Sequence, residues 1–520
     1  MARSRRAAVI VTGWLVLLAA LLWIVPPAGD DAYAHSIMAV EQAKCWRHGV
    51  IWPRFHPDWN GGTGSFLPAV YSPVALSVDA ALALATNEGT RAVALSLIAA
   101  LGAGAFFMWL ASLGAGPPWW LFACTPYLLV NVFSRATVTE TWALAAVAGG
   151  LVFLLPPGIS RPREGLLALT AAMVAAGAQP VMLIIVGVPV VLTWLIVMAV
   201  GRGAGWKRNA SWGAALMAGA AIFWLPPLLL IKNLDQKDVF SGQYGWHGHF
   251  VTNIHANGRL GPVLLAIWVA LGVLAVVSAF LLRHRFDTRS RAMLIFAGAC
   301  LVLASPMSVP LWRLPGLRMA QFPWRFLGPA SIAVLYLLGR LPQRWRRAGL
   351  AAMVLPAALM PVELGPARPM LRPDMSARQL ASACSIRYGL APVLPSTPGE
   401  YAAGFHPLHS LASLGSQRGI QVTKRASSCV SRVYRVKVSN AGVVLLPVQW
   451  WPFWRVRIDG IPATFADRLG LVGVNLDAGT HGVALELGRS GARLAGGAVT
   501  GAGILMTVFL CVIYGRHQGD

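Results

Sequence analysis

Long apolar stretches separated by short polar segments dominate the first 364 residues of the chain. Residues 7–25 contain no charged side chain and follow Arg3, Arg5 and Arg6. A run of this length crosses a bilayer as a helix, and basic residues before it keep that end in the cytoplasm. Similar stretches recur along the chain, so the pattern predicts about twelve membrane spans. The predicted spans are residues 7–25, 91–113, 119–133, 137–156, 165–178, 180–201, 210–231, 260–283, 291–309, 325–340, 348–364 and 493–514.

The pattern changes between residues 365 and 490, where apolar runs shorten and Gly, Pro and Ser separate them. Alternation typical of β-strands occurs at Arg432–Val438, Gly442–Val448, Trp454–Ile458, Gly470–Asn475 and Gly482–Leu487. We therefore expect an all-α polytopic membrane domain over 1–364, with a long first loop at 28–68. A small all-β, sandwich-like domain is predicted over 365–490, and a final span with a cytoplasmic tail over 491–520.

Composition supports a membrane protein, because 56% of residues are hydrophobic, only 12% are charged and the mean hydropathy is +0.61. The net charge of +24 is compatible with nucleic-acid binding. The basic residues, however, fall in short clusters between apolar stretches, as the positive-inside rule requires of cytoplasmic loops. We therefore predict no nucleic-acid partner, two cytoplasmic termini, and an extracytoplasmic position for the first loop and the β-domain. The basic clusters are Arg161/Arg163, Arg202/Lys207/Arg208, Arg283/Arg285/Arg289/Arg291 and Arg340/Arg344/Arg346/Arg347.

The six cysteines are widely spaced, with no CxxC motif and no spacing suited to zinc. Cys384 and Cys429 both fall in the predicted β-domain, and they can pair if that domain lies outside the cytoplasm.

Asp30 and Asp31 follow the first span directly, at the far face of the membrane. Ionisable groups there are costly if they face lipid. If residues 30–42 begin a helix, Asp31 and His35 lie on one face. The carboxylate can then orient the imidazole, or both can approach one substrate. Two carboxylates can also hold a divalent cation such as Mg²⁺, Mn²⁺ or Ca²⁺. The alternative is a pair of solvated acids in an interfacial loop.

The rest of the first loop alternates polar and aromatic residues, including Arg54, His56, Asp58 and Tyr71. Such an arrangement suits a sugar, whose faces stack on rings while its hydroxyls bond polar groups. The alternative is a belt of interfacial aromatic side chains.

Three further segments predicted at the external face carry candidate chemistry. Arginine there can fork onto phosphate oxygens, and an adjacent acid can steady it. The alternatives are a surface ion pair, a polar loop without a ligand, and arginines that merely anchor the chain at the interface. The candidates are Arg135 and Glu140, then Tyr244, His247 and His249, then Arg318, Gln321, Trp324 and Arg325.

Together these stretches resemble the bacterial polytopic GT-C glycosyltransferases, the YfhO-like and related integral membrane proteins. The resemblance extends over nearly the whole chain. Its motifs are Asp30-Asp31…His35, Trp52-Pro-Arg…Pro-Asp58-Trp-Asn-Gly…Tyr71-Ser-Pro, Arg135…Glu140, Ser308-x-Pro310-x-Trp312…Gln321-Phe-Pro-Trp-Arg325, and Trp451-Pro-Phe-Trp-Arg-Val-Arg-Ile-Asp459-Gly followed by Asp477-Ala-Gly-Thr-His481.

The resemblance implies an enzyme of the bacterial inner membrane that moves a hexosyl or pentosyl group from a polyprenyl-phosphate donor. The acceptor would be a cell-envelope glycan or lipid at the extracytoplasmic face, and transfer would invert the anomeric carbon. Asp31, or Asp30, is the expected general base, with His35 beside it. Arg325, Arg318 and Arg135 are expected to bind the donor phosphate. The expected substrate-binding residues are Glu140, Arg54, His56, Asp58, Tyr71, Tyr244, His247, His249, Gln321 and Trp324.

Two other classes of function stay open at this point. About twelve spans would also suit a transporter or flippase of lipid-linked sugars, although no inverted repeat is evident and few acids lie within the spans. The β-domain would also suit a non-catalytic envelope assembly protein, which would tolerate substitution of Asp31.

Overall fold

The computed structural model describes residues 2–27, 29, 31–59, 62–112, 119–200, 206–230, 246–362, 417, 419–468 and 470–516. Asp30, Tyr244 and Cys384 lie outside the described residues. The chain is helical up to residue 359, forms strands between 420 and 487, and ends in one long helix. This confirms the predicted fold class, a polytopic helical part with a small C-terminal β-domain.

The described residues of the N-terminal part form seventeen α-helices, and a further helix, α18, follows the strands. They are α1 (Ala2–Ile24), α2 (Ala32–Arg47), α3 (Leu67–Val70), α4 (Pro73–Thr86), α5 (Gly89–Ser112), α6 (Pro126–Leu129), α7 (Val138–Leu154), α8 (Pro162–Ala178), α9 (Met182–Ala199), α10 (Trp206–Gly219), α11 (Ala221–Leu230), α12 (Gly261–Leu282), α13 (Thr288–Leu303), α14 (Val309–Trp312), α15 (Pro315–Arg318), α16 (Leu327–Arg340), α17 (Gln343–Val354) and α18 (Gly491–Arg516). A π-helical turn spans Val130–Arg135, and 3₁₀ turns span Trp119–Cys124, Trp246–Gly248, Gly258–Leu260, Pro306–Ser308, Pro323–Phe326 and Leu355–Leu359.

Among the described helices, α5, α9, α12 and α18 are long and apolar enough to cross a membrane. Two bent pairs, α10 with α11 and α13 with α14, raise that number to six, and three shorter apolar helices accompany them. By length and hydropathy alone, the described helices therefore give fewer membrane spans than the predicted number of about twelve. One reason is proline: the predicted span 119–133 is broken into a 3₁₀ turn, the four-residue α6 and a π turn, with Pro126 at the start of α6.

Helix α7 occupies the centre of the helical part, because nearly all of its residues are buried. It packs against α5 and α8, and also contacts α16. A helix that is apolar on all sides belongs in an interior. Glu140 lies in the first turn of α7 and Arg325 lies just before α16. Both charges are thus held at the ends of buried helices.

The β-domain contains two antiparallel sheets. The first has the strand order β1-β2-β8-β4-β5 and the second β3-β7-β6. Inward-facing Val, Leu, Tyr and Trp side chains of both sheets form one core. The five predicted segments correspond to β2, β3, β4, β7 and β8, whereas β1, β5 and β6 were not predicted. The strands are β1 (Ile420–Ser427), β2 (Ser431–Val438), β3 (Gly442–Gln449), β4 (Trp454–Ile458), β5 (Ile461–Ala463), β6 (Ala466–Arg468), β7 (Leu471–Leu476) and β8 (Gly479–Leu487).

The first loop is joined to the β-domain by a disulfide bond between Cys45 and Cys429. The predicted partner of Cys429 was Cys384, so that pairing was wrong. The true partner lies 384 residues earlier in the chain, at the end of α2. Phe55 and Phe66 of the loop extend the core of the β-domain, with their rings against tryptophans of its β3–β4 connection and β4. The loop and the β-domain therefore share one hydrophobic core.

Candidate functional site

A close contact between two backbone segments positions Asp31. A Cβ atom on Gly29 would lie 2.5 Å from the carbonyl oxygen of Ser134 and from the carbonyl carbon of Arg135. Only glycine permits this approach. The amide of Asp31 then donates to the carbonyl of Arg135 at 2.9 Å. The end of α1 and the π turn are thereby held together, with Asp31 immediately before α2.

The π turn that carries Arg135 ends in an unusual backbone conformation. Ala136 has φ +55°, in the left-handed region that non-glycine residues rarely adopt. Gln321, which precedes Arg325 in the chain, has φ +61°. Backbone strain of this kind and π-helical turns both concentrate at functional sites. Two of the candidate arginines are therefore presented by segments with special backbone geometry.

Glu140 is the buried centre of the charge cluster. Its Oε2 lies 2.9 Å from Nη1 of Arg135 and 3.5 Å from Nε of Arg325. The hydroxyl of Tyr127 donates to its Oε1. Arg135 also donates to the side-chain oxygen of Asn131 at 2.9 Å. Buried charges persist only when they are paired in this way. One carboxylate thus holds two guanidinium groups in place.

Asp31 lies at the accessible edge of this cluster, with 42% of its side chain exposed. Its Oδ2 is 3.7 Å from Nη2 of Arg135 and accepts a hydrogen bond of 3.0 Å from the hydroxyl of Thr137. Its Oδ1 makes no hydrogen bond with the part of the chain that the structure describes. The site therefore combines one reachable carboxylate with two buried cations.

Aromatic rings cover the arginines. The guanidinium of Arg135 lies 4.6 Å from the ring centre of Trp324, and that of Arg325 lies 4.8 Å from the ring centre of Phe322. The side chain of Gln321 accepts a hydrogen bond from Arg325 at 3.4 Å. Stacking fixes the plane of a guanidinium and leaves its edges available for a planar anion. The predicted residues Gln321, Trp324 and Arg325 thus meet Arg135 at one place.

His35 interacts electrostatically with its predicted partner Asp31, and it also lies near a second carboxylate, that of Asp79. Its Nδ1 lies 4.0 Å from Oδ2 of Asp79, and both side chains are buried. The helix begins at Ala32, so Asp31 precedes it instead of lying within it. Burial lowers the pKa of His35 to about 4, which keeps the imidazole neutral at neutral pH. His35 therefore lies behind Asp31 and does not share its exposure.

Three predicted substrate-binding residues of the first loop make structural contacts. Arg54 donates to a carbonyl just after β8 at 2.6 Å, His56 bonds the side chain of Gln42 at 3.3 Å, and Asp58 pairs with Lys44 at 2.9 Å. Among the described residues, none of these bonds reaches the carboxylate of Asp31. Arg54, His56 and Asp58 hold the loop against α2 and the β-domain.

The remaining predicted site residues differ in how close they lie to the charge cluster. Tyr71 interacts electrostatically with Asp31 and with both buried arginines. The ring of His249 meets Phe322 at 4.9 Å, edge to face, while the ring of His247 is tilted by 32° against that of its neighbour Trp246. Arg318 is exposed at the end of α15. Tyr71 and His249 are thus near the cluster, whereas Arg318 stands at its outside.

The divalent cation considered for Asp30 and Asp31 stays a prediction, because Asp30 lies outside the described residues. Among the described residues, no group of three His, Cys, Asp or Glu side chains could hold a metal ion. Asp31 faces the guanidinium of Arg135 at 3.7 Å.

Sequence reasoning missed Tyr127, Asn131 and Thr137, which complete the cluster. Tyr127 and Asn131 lie in an apolar stretch that the pattern assigns to a membrane span. Thr137 lies between Arg135 and Glu140 in the sequence. A hydroxyl so close to two charged candidates was the signal that could have identified Thr137.

No protein-family model and no curated protein matches the sequence. Among solved structures, the chain is similar to the arabinofuranosyltransferase AftD from mycobacteria, with 17% identity and a TM-score of 0.39. It is also similar to ArnT from Cupriavidus metallidurans, with 18% identity and a TM-score of 0.34. The matches cover 67% and 65% of this chain, but only 27% of AftD and 62% of ArnT. The chain therefore spans about a quarter of the one and three fifths of the other.

Proposed function

We propose that the protein is a membrane glycosyltransferase of the GT-C type. It would transfer a sugar from a polyprenyl-phosphate donor to a glycan or lipid acceptor of the cell envelope. The supporting observation is the exposed carboxylate of Asp31 beside Arg135, whose guanidinium is fixed by the buried Glu140 together with Arg325. An accessible base next to fixed cations suits a reaction that removes a proton and releases a phosphate.

Asp31 acts as the general base in this proposal. Its free Oδ1 accepts the proton of the acceptor hydroxyl, and the acceptor oxygen attacks the anomeric carbon. The bond from that carbon to the phosphate oxygen breaks, and the polyprenyl phosphate leaves with the electron pair. One displacement inverts the anomeric carbon. Thr137 donates to Oδ2 and thereby leaves Oδ1 for the acceptor hydroxyl.

The arginines stabilise the leaving phosphate. Nε of Arg325 faces the carboxylate of Glu140 at 3.5 Å and Nη1 donates to the carbonyl of Ala320, whereas Nη2 makes no hydrogen bond with a described residue. A phosphate oxygen would satisfy it through a charge-assisted bond, which is about twice as strong as a neutral one. The fixed guanidinium of Arg135 meets the same growing charge. Arg318, at the outside, would meet the phosphate as it enters.

The Cys45–Cys429 disulfide supports an extracytoplasmic position for the loop and the β-domain, because such bonds persist in oxidising compartments. We therefore place the site at the external face of the bacterial inner membrane, with both termini in the cytoplasm. The β-domain would bind the acceptor or cover the site.

Substitution of Asp31 by Asn tests the proposal. The purified chain is incubated with a panel of polyprenyl-phosphate sugars, and transfer is measured for both proteins. We expect a loss of at least ~100-fold with donor binding retained, because general base catalysis contributes that much. Asp287→Asn is the matched control, since Asp287 is 50% exposed and lies 3.5 Å from Arg340. Undiminished transfer by the Asp31 variant would remove the mechanism.

Arg325→Ala tests the phosphate contact. We expect donor affinity to fall by ~10-fold or more, because hydrogen bonds to charged groups contribute about 1.5–3 kcal/mol. Leu314→Ala, a change at an exposed leucine of the same segment, is the control. Equal effects would assign Arg325 to packing. Movement of the lipid-linked sugar across the membrane of proteoliposomes that contain the protein, without sugar transfer or hydrolysis, would instead favour a flippase.

A further inference from the structure

A second group of cations lies where the first loop, the β-domain and the last span meet. Arg54 donates through Nη2 to the carbonyls of Leu487 and Gly488, at 3.4 and 2.6 Å. Arg493, in the first turn of α18, donates through Nη1 to the carbonyl of Trp52 at 3.2 Å. Its guanidinium also lies 4.7 Å from the centre of the Trp52 ring. Both arginines are partly buried, and their like charges interact.

These two arginines have no acidic partner among the described residues. Within the described part of the chain, no carboxylate lies within 4.0 Å of either guanidinium. The buried arginine pair of the candidate site, by contrast, is neutralised by Glu140. Each of Arg54 and Arg493 uses one terminal nitrogen to hold a carbonyl, and its other N–H groups make no hydrogen bond with described residues. Two partly desolvated like charges without a counter-ion indicate a missing anion.

Ser490 provides an independent observation at the same place. It precedes α18, and its carbonyl accepts bonds from the amides of Arg493 and Leu494. The residue is only 6% exposed, and its buried hydroxyl has no hydrogen-bond partner among the described residues. A serine in this position normally caps the helix with its side chain. The hydroxyl is therefore left for another acceptor, next to the amides at the N-terminus of a 26-residue helix.

We propose that Arg54, Arg493, Ser490 and the first turn of α18 form a binding site for a phosphate group. Phosphate matches forked guanidinium groups and the N-terminus of a helix. The apolar stretch of α18 that is long enough to cross a membrane begins at Gly491, so the site lies at the membrane boundary. A lipid headgroup is the source that this position favours, and a free phosphate shares its chemistry. The site is separate from the Asp31 cluster and does not depend on the proposed function.

The variant Ser490→Asp distinguishes a ligand-binding site from a group of contacts that only hold the first loop against the β-domain and α18. Aspartate is a preferred helix cap, and its carboxylate supplies the counter-charge that the arginines lack, so the folded protein should be at least as stable as the wild type. The same carboxylate occupies the place of the phosphate and repels it. Arg489→Gln is the control, because Arg489 is an exposed arginine one residue away.

The full chain is purified in maltoside detergent and titrated with dioctanoyl phosphatidic acid, with dioctanoylglycerol, and with inorganic phosphate. We expect phosphatidic acid to bind, dioctanoylglycerol not to bind, and Ser490→Asp to weaken the phosphatidic acid affinity at least about tenfold. Arg489→Gln should bind as the wild type does. Binding of inorganic phosphate alone, with the same sensitivity to Ser490→Asp, would support the site and identify free phosphate as its source.

A stable Ser490→Asp protein that binds phosphatidic acid as well as the wild type would overturn the assignment. The Arg325→Ala variant is titrated in parallel, because the proposed active site also binds phosphate. Loss of binding in Arg325→Ala but not in Ser490→Asp would assign the lipid to the Asp31 cluster alone and refute the second site.

Discussion

Glu140 should be the acid on which the stability of the helical part depends most. It is fully buried and contacts Arg135 at 2.9 Å and Arg325 at 3.5 Å. Glu140→Gln keeps the size of the side chain and an oxygen that can accept from Tyr127. It removes the negative charge that both guanidinium groups share. The arginines then face one another with only the partly exposed Asp31 nearby.

The expected cost follows from the imbalance of buried charge. Removing one partner of a buried ion pair costs about 3–5 kcal/mol, because the remaining charge is left without compensation. Glu164→Gln is the matched control. Glu164 is 8% exposed and accepts bonds from the amides of Ser160 and Arg161, but no ion pair among the described residues involves it. Its substitution should cost only about 1 kcal/mol, the contribution of an ordinary hydrogen bond.

Unfolding of the purified variants in mixed detergent, followed by tryptophan fluorescence across an SDS titration, measures both free energies. The difference between Glu140→Gln and Glu164→Gln should be about 2 kcal/mol or more. A second change, Glu140→Gln with Arg325→Gln, should recover part of the loss, because it removes the excess positive charge. Equal destabilisation by the two single variants would refute the view that Glu140 neutralises the arginines.

Two further predictions concern the surroundings of the site. Gly29→Ala should reduce both sugar transfer and thermal stability, because the added Cβ would lie 2.5 Å from the backbone of Arg135. Gly13→Ala is the control and should be neutral in the same thermal-unfolding and transfer assays, because nothing lies within 4 Å of the added Cβ. Burial lowers the pKa of His56 from 6.5 to about 3, so the unfolded chain binds a proton first and stability is lost as pH falls below about 6.5. His56→Gln should reduce the loss of unfolding free energy on acidification by up to ~1.4 kcal/mol per pH unit, whereas the control His48→Gln, at an exposed histidine, should leave it unchanged. Identical pH profiles of stability for the two variants would contradict the assignment of this loss to His56.

The fold class could be predicted because each pattern that indicates it lies within a single segment of the chain. Apolar length predicts helices in the first 364 residues, and alternation predicts β2, β3, β4, β7 and β8, because burial on one face imposes a period of two. Strands β5 and β6 have three residues each, too few for any period. The exact spans were harder to predict, since proline near Pro126 breaks an apolar run that hydropathy treats as continuous.

The candidate site was predictable in part because the fold brings together loops that the sequence predicts to lie on one face of the membrane. Asp31, Arg135, Glu140 and Arg325 were selected as polar residues at one face of an apolar chain, and the structure places them in contact. What could not be predicted is which partner each one takes. The proximity of His35 to a second carboxylate, that of Asp79, depends on how α2 packs against α4.

Helix α2 links the candidate site to the β-domain. Asp31 precedes its first residue, and Cys45, near its last turn, is bonded to Cys429 of the β-domain. Sixteen residues at 1.5 Å each make the helix about 24 Å long, and its hydrogen-bonded backbone connects the two ends. Since Gly29 and the π turn fix its other end, a displacement of the β-domain would be opposed at Asp31 itself. If the β-domain holds the acceptor, the distance between the acceptor and the carboxylate of Asp31 is set by one helix and one covalent bond.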